Sequence, residues 1–376
     1  MSLLQNKQTL LTELQHICQR ITKLSSEESE TINSDRQKSK FAFVSVVMKG
    51  DSYVAGALVL ARSLLNTKTV HDLVCIVTPD VSDQAVEDLS LLYTHVVRME
   101  YINFPAVALH TQKQREKYES WMDSSMPLYT CLWLFQYEKV LHLDCDACVI
   151  QNIDHIFRLS TPAASFYNPW QTGTKNDPYP RNIRHGQKIP SQCIKRAFTM
   201  DGSFVVGGNF VLLSTGQQIV DEFMKCLRSF VDTNGRLGFH KINSGVDAQM
   251  ITYFFTYHMQ QEWTYIDPGY DCIPWKRNRS TPYTYLFHYF NIKPWVTDLH
   301  QYDDLVPWWS SAYKVCSDNP NLGKYFFNGT TNTQDKLMHD DGAWIQKTCC
   351  WCTGRHQFWD FKNYKVLCPF FRKASN

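Results

Sequence analysis

The sequence predicts an α/β protein built on a mostly parallel sheet with helices on both faces. Three observations predict it. From residue 41 to about residue 143, apolar runs of strand length alternate with longer stretches that are apolar at helical spacing. The first of these runs, Phe41 to Met48, is apolar almost throughout, as a buried strand is. The run Lys139 to Leu143 leads directly into two acids, Asp144 and Asp146, and the carboxyl ends of such strands are where open α/β sheets bind ligands.

Taken in order, the chain divides into an N-terminal segment, 1–40, a main domain, 41–310, and an extension, 311–376, rich in cysteine and aromatic residues. In the first segment, Leu10, Leu14, Ile17, Ile21 and Leu24 follow a heptad, with Leu3 extending the seam and Lys7 interrupting it. Two readings fit: a short coiled coil that makes a homodimer, or one amphipathic helix lying on its own domain. Residues 25–40 are polar and read as a linker. The main domain is then read as strand 41–48, helix 52–65 capped by Asp51, strand 73–77, helix 82–93 capped by Ser82, strand 96–99, helix 124–137 and strand 139–143. After Pro162 the pattern loosens. Residues 168–200 form a long loop rich in Pro, Asn, Lys and Arg, and a loop of that length points to function. Strand 203–213, a helix opened by Ser214 and running to Phe230, helix 246–257, an irregular stretch 268–284 and a short strand 286–290 complete the domain. The periodicity fades beyond about residue 310.

Composition narrows the function. The chain has 376 residues, 44% hydrophobic and 20% charged, which describes a globular protein. A net charge of +2 gives no footprint for nucleic acid. With 11 Trp, 19 Tyr and 22 Phe, aromatic side chains serve either a core or stacking on sugars and bases, and composition alone favours the core. No secretory signal and no apolar run of membrane-spanning length is present, so the expected compartment is cytoplasmic. The 13 cysteines are then expected to be mostly reduced, and the sequons at Asn278 and Asn328 unused. Cys349, Cys350, Cys352, Cys368 and His356 fit either a zinc site or buried thiols, and their spacing favours thiols. Trp308, Trp309, Trp351 and Trp359 fit either an acceptor platform or a core, with the core favoured.

The chemistry centres on Asp144 and Asp146. A lone Asp-x-Asp is weak evidence, but here an apolar strand leads in and Ala147 to Ile150 leads out. Acids two apart face opposite ways on a regular strand, so a turn must bring both to one ion. Burying two carboxylates is costly unless a cation compensates; otherwise the pair is a solvated acidic turn. Oxygen ligands select Mg2+ or Mn2+, and an imidazole tilts the choice toward Mn2+. His288 is a candidate third ligand, although taken alone it fits a structural histidine better, and Lys293 is a candidate point charge for phosphate. Such a site suits a diphosphate leaving group, whose charge a divalent ion neutralises.

Five stretches resemble the glycogenin-type glycosyltransferases, family 8 of the retaining enzymes. They are Asp51-Ser52-Tyr53 with Gly56 to Leu60 and Ser63-Leu64; Gln136 to Asp146 with Val149 and Asn152-Ile153-Asp154; Gly208-Asn209-Phe210-Val211; Gly245-Val246-Asp247; and His288-Tyr289 with Lys293-Pro294-Trp295. The resemblance covers about residues 41–297. It implies a GT-A, Rossmann-like fold, a UDP-sugar donor, Mn2+ and retention at the anomeric carbon. It implies Asp144, Asp146 and His288 as metal ligands, Val47 and Tyr53 packed on uracil, Lys293 on the pyrophosphate, and Asp247 beside the donor sugar as the catalytic carboxylate. The chain departs from the family where Val206-Gly207-Gly208 replaces Asn-Ser-Gly, Ala248 follows Asp247, Leu128 stands for a lysine and Asn291 for a glycine. The expected activity is transfer of a hexose-type sugar from UDP to an unidentified acceptor, whether protein, glycan or small molecule. Two rivals are a nucleotidyltransferase of similar fold, for which only Lys49-Gly50 stands where a Gly-rich basic loop belongs, and an inactive sugar-nucleotide-binding or scaffold protein.

Overall fold

The computed structural model describes residues 39–102, 126–166, 183–195, 206–230, 246–272, 284–289, 293–296, 305–326 and three short strands near the C-terminus, with isolated positions between. The N-terminal heptad segment and the cluster from Cys349 to Cys352 with His356 and Cys368 lie outside the described residues.

Strand β1, Phe41–Val47, sets the architecture. Its pleat sends Ala42, Val44 and Val46 into one apolar core and Phe43 and Val47 into another, so the sheet is covered on both faces. Helix α1, Val54–Asn66, follows; strand β2, Asp72–Val77, pairs parallel to β1; helix α2, Asp83–Leu89, leads to strand β3, His95–Arg98, parallel to β2. The chain then crosses back, and strand β4, Lys139–Leu143, adds to the other side of β1, again parallel. Strand β5, Ala147–Val149, leaves the main sheet. Strands β6, Ala163–Phe166, β7, Lys188–Ile189, β8, Val206–Ser214, and β9, Trp263–Ile266, complete the order β3-β2-β1-β4-β8-β6-β9-β7. β8 runs antiparallel to β4, so the sheet is mixed beyond its parallel half. Strand β10, Leu286–His288, pairs with β5. Strands β11, Ala343–Gln346, β12, Gln357–Asp360, and β13, Lys365–Val366, form a separate antiparallel sheet.

Helices α3, Gln217–Phe230, and α4, Val246–Tyr253, contribute Phe223 and Ile251 to the core that receives Val44; α1 and α5, Val306–Asp318, contribute Leu58 and Trp308 to the other. The expected α/β class, with helices on both faces, is therefore what forms.

Several expectations are corrected. Asp51 does not cap α1. It sits in a 3-10 turn, Asp51–Tyr53, and its carboxylate accepts from Ser82 N at 2.9 Å and Ser82 Oγ at 2.6 Å. Ser82 does cap α2, its Oγ accepting from Ala85 N at 3.1 Å. The stretch expected as helix 124–137 contains a 3-10 segment, Met126–Trp133. The division at residue 310 falls inside α5, whose Trp308 and Trp309 are buried in the core, as the core reading of those tryptophans expected.

Candidate metal centre

Where β4 ends, Asp144-Cys145-Asp146 turns the chain, with Ala147 N donating to the Asp144 carbonyl at 3.1 Å. β5 then runs antiparallel to β10 with Ala147 opposite His288. That register brings the imidazole beside Asp146, and Tyr289 N donating to the Asp146 carbonyl at 2.9 Å locks it. On the other flank, Asp144 N donates to the Asn209 carbonyl of β8 at 3.3 Å. α1 comes down almost onto the turn. A Cβ on Gly56 would stand 2.6 Å from the Cys145 carbonyl and 2.8 Å from the Trp295 ring, so only glycine permits this approach.

Asp144, Asp146 and His288 each present a ligand atom within 4.8 Å of the others. His288 Nε2 lies 3.4 Å from Asp146 Oδ1 and 3.8 Å from Asp144 Oδ2. An octahedral shell with bonds of about 2.1 Å places ligand atoms about 3 to 4 Å apart, so the set fits a small divalent ion. Asp146 Oδ1 is buried and has no hydrogen-bond partner among the described residues, as a carboxylate awaiting a cation has.

The charges around the turn are strongly coupled. Burial and the neighbouring Asp146 charge push Asp144 up to about 7, although about a third of its side chain, 35%, stays exposed. Burial works the same way on Asp146, but the charges of His288 and Lys293 overcome it and hold that carboxyl well below the usual range. Burial disfavours charged His288, and the Asp146 and Asp271 carboxylates outweigh it and raise the imidazole well above its ordinary value. Lys293 is ion-paired with Asp146 Oδ2, and that partner, against the effect of burial, raises its amine.

Sequence reasoning missed Asp271. Its Oδ1 lies 3.1 Å from His288 Nδ1 and also accepts from Asn209 Nδ2, while its Oδ2 accepts from Ser165 Oγ at 3.1 Å. A proton held on Nδ1 by this carboxylate leaves Nε2 to face Asp144 and Asp146, the arrangement of a carboxylate behind a metal-binding histidine. Asp271 falls in a stretch whose irregular pattern carried no signal.

The remaining expected residues divide. Tyr53 is 37% exposed, with the Lys293 amine 5.7 Å from its ring centroid and Trp295 edge-on at 5.4 Å. Tyr53, Lys293 and Trp295 line a cleft of about 530 Å³ that Lys324, Tyr325 and Phe326 also line. Asp247, in the first turn of α4, is buried; burial pushes it up to about 6, opposed by the Ala248 and Asp247 N–H groups. Val47 is corrected: it is fully buried beneath α1, and its side chain has no free surface for a base.

Residues 45–194 match the family model described as "Glycosyl transferase family 8". An uncharacterized protein of Acanthamoeba polyphaga mimivirus is 33% identical over 169 residues, 45% of this chain and 54% of that protein. UDP-glucuronate:xylan alpha-glucuronosyltransferase 2 of Arabidopsis thaliana is 29% identical over 38% of this chain and 22% of its own length. Human glycogenin-1 is 32% identical over 31% of this chain and 32% of its own length. The chain thus spans about half of the first relative and a third or less of the other two. The eight cysteines Cys75, Cys131, Cys145, Cys148, Cys193, Cys226, Cys272 and Cys316 are free thiols. No helix among the described residues is long and apolar enough to cross a membrane.

Proposed function

We propose that this chain, whose residues 45–194 match the model of glycosyl transferase family 8, is a metal-dependent retaining glycosyltransferase moving a hexose-type sugar from a UDP-sugar to a protein, glycan or small-molecule acceptor. The observation that carries this reading is the convergence of Asp144, Asp146 and His288 on one point at the end of β4. A bound Mn2+ or Mg2+ supplies Lewis-acid neutralisation of the departing diphosphate. Asp144, Asp146 and His288 would hold the ion, and the imidazole favours Mn2+. Lys293, beside them, supplies a further positive charge for phosphate, and the exposed Tyr53 ring offers a face to the uracil. The name of the Arabidopsis relative, a UDP-glucuronate-dependent enzyme, supports UDP as the nucleotide.

Asp247 is the carboxylate assigned to the donor sugar. With a value of about 6 it is mostly ionised at neutral pH, and its negative charge stabilises positive charge at the anomeric carbon. In the front-face route the acceptor's proton passes to the departing phosphate, so no protein base is required; in the alternative route Asp247 attacks the anomeric carbon itself. Homodimerisation through residues 1–40 and a cytoplasmic location belong to the same proposal.

The test is release of UDP from a panel of UDP-sugars in the presence of Mn2+. At least one sugar should give UDP, and Asp146→Asn should lower that rate by about a hundredfold or more without changing the melting temperature by more than a few degrees. Full activity in Asp146→Asn contradicts the site. Release only from a nucleoside triphosphate identifies a nucleotidyltransferase, and tight UDP binding with no turnover identifies an inactive sugar-nucleotide-binding protein.

A further inference from the structure

On the α3 and α4 side of the sheet, next to the metal centre, three buried side chains each carry an atom that no described residue hydrogen-bonds: Tyr129 Oη, His142 Nε2 and Asp247 Oδ1. Their exposures are 1%, 1% and 7%. They surround one residue of β8. A Cβ on Gly208 would stand 3.5 Å from Asp247 Oδ2 and 4.0 Å from Tyr129 Oη, and His142 Nδ1 reaches the Gly208 carbonyl at 3.1 Å. His142 thus spends one ring nitrogen on the backbone, whereas the phenol oxygen and the second Asp247 oxygen, Oδ2, border the position a Gly208 side chain would take, with the Ala248 methyl at 3.7 Å. That space adjoins the metal centre, because the next residue, Asn209, receives the Asp144 N–H.

Packing explains the Tyr129 ring but not its hydroxyl. The ring lies against Phe223 at 6.1 Å in an edge-on contact that phenylalanine would make equally well. A hydroxyl kept in a core with nothing to bond is a cost that native proteins rarely carry without a use. The phenol also feels the charges of both Asp247 and Asp144 on top of its burial.

We propose that the Tyr129 hydroxyl binds a hydroxyl group of the donor sugar, beside Asp247, in the cradle that Gly208 leaves open. This rests on the reading of the chain as a UDP-sugar-dependent transferase and adds a residue that selects the sugar. A phenol donates and accepts, and an ionised carboxylate only accepts, so the pair matches a sugar hydroxyl at one fixed position. A sugar lacking that hydroxyl leaves the buried phenol unpaired again, and sites built this way reject such analogues strongly.

The experiment measures dissociation constants by calorimetry, with Mn2+ present, for UDP, UDP-glucose, UDP-galactose and UDP-xylose on the parent, Tyr129→Phe and Gly208→Ala. Tyr129→Phe removes one oxygen and keeps the ring; Gly208→Ala puts a methyl group into the cradle at ordinary contact distances. The expected result is an unchanged UDP constant and about a tenfold weaker constant for the tightest-binding UDP-sugar in both variants, with the Tyr129→Phe melting temperature not lowered. Tyr129→Phe binding that UDP-sugar as tightly as the parent overturns the proposal, as does equal weakening toward UDP and UDP-sugar, which marks a packing role. A parent that binds UDP and discriminates none of the sugars overturns the sugar site and leaves the nucleotide reading standing. A parent that binds neither UDP nor any UDP-sugar removes the transferase reading and this proposal with it.

Discussion

At Asp247, burial opposes ionisation, and the proposed chemistry needs the ionised form. Enclosure of the side chain pushes its carboxyl up to about 6 in the folded chain, above the ordinary aspartate value. A raised value means that the folded state holds the proton more tightly than the unfolded one. The associated stability is therefore complete below about pH 4 and lost as pH rises through about 6. The difference corresponds to about 3 kcal/mol. Asp247→Asn, which cannot ionise, should melt several degrees above the parent at pH 8 and by a clearly smaller margin at pH 4.5, in buffer without divalent ions. Equal gaps at the two pH values would contradict the burial argument. Asp271 would act behind the proposed ion, through His288. It holds His288 Nδ1, so Asp271→Ala should weaken Mn2+ binding by about ten- to a hundredfold in a calorimetric titration. Unchanged affinity would reduce Asp271 to a packing residue. The three candidate ligands were legible because a strand run ends on Asp144 and Asp146 and the resemblance supplies His288. The sequence hid Asp271 and Tyr129, since neither has a spacing to His288 or Asp247 that a linear reading detects. Val47 was misplaced because position along β1 tells which strand end a residue is near, not which face its side chain takes.

Among the elements, those with a strong repeat were readable and those held by tertiary pairing were not. β1 to β4 and helices α1 and α2 follow apolar runs and periodic stretches. β5, β6 and β9 span three or four residues each, too few for alternation to register, and they exist because a neighbour pairs with them. α5 is a different failure. Its buried Trp308, Trp309, Ala312 and Val315 do follow a helical spacing, and Pro307 suits a first turn, yet the aromatic density of the segment masked the pattern. α5 also supports the site. Trp308 is fully buried and stacks on Trp295 at 5.8 Å, Trp295 meets Tyr53, and Arg62 of α1 pairs with Asp318 of α5 at 2.9 Å. Trp308→Ala should cost about 3 to 5 kcal/mol and lower the melting temperature by about 10 °C. A shift below about 2 °C would show that α5 is not part of this core.

At the scale of the whole molecule, topology places the chemistry. After β1 the chain goes outward through β2 and β3, then returns to lay β4 on the opposite side of β1. The connections therefore diverge between β1 and β4, and a crevice opens beyond their carboxyl ends, where such sheets bind ligands. Tyr53 follows β1 and Asp144 follows β4, so the proposed nucleotide face and the metal centre flank one crevice. The β5–β10 ribbon, outside the main sheet, adds His288 and leads to Lys293. The antiparallel β8 adds the Gly208 cradle from the other side. Three parts of the chain far apart in sequence thus meet because of strand order, which is why the fold class could be read early and the complete site could not. The measurement that bears most directly on this account is anomalous scattering at the manganese edge from crystals grown with Mn2+ and UDP. One peak should appear about 2 Å from Asp144, Asp146 and His288 Nε2, with the UDP phosphates beside it. A map with no peak between those residues, or with manganese bound only elsewhere, would contradict it.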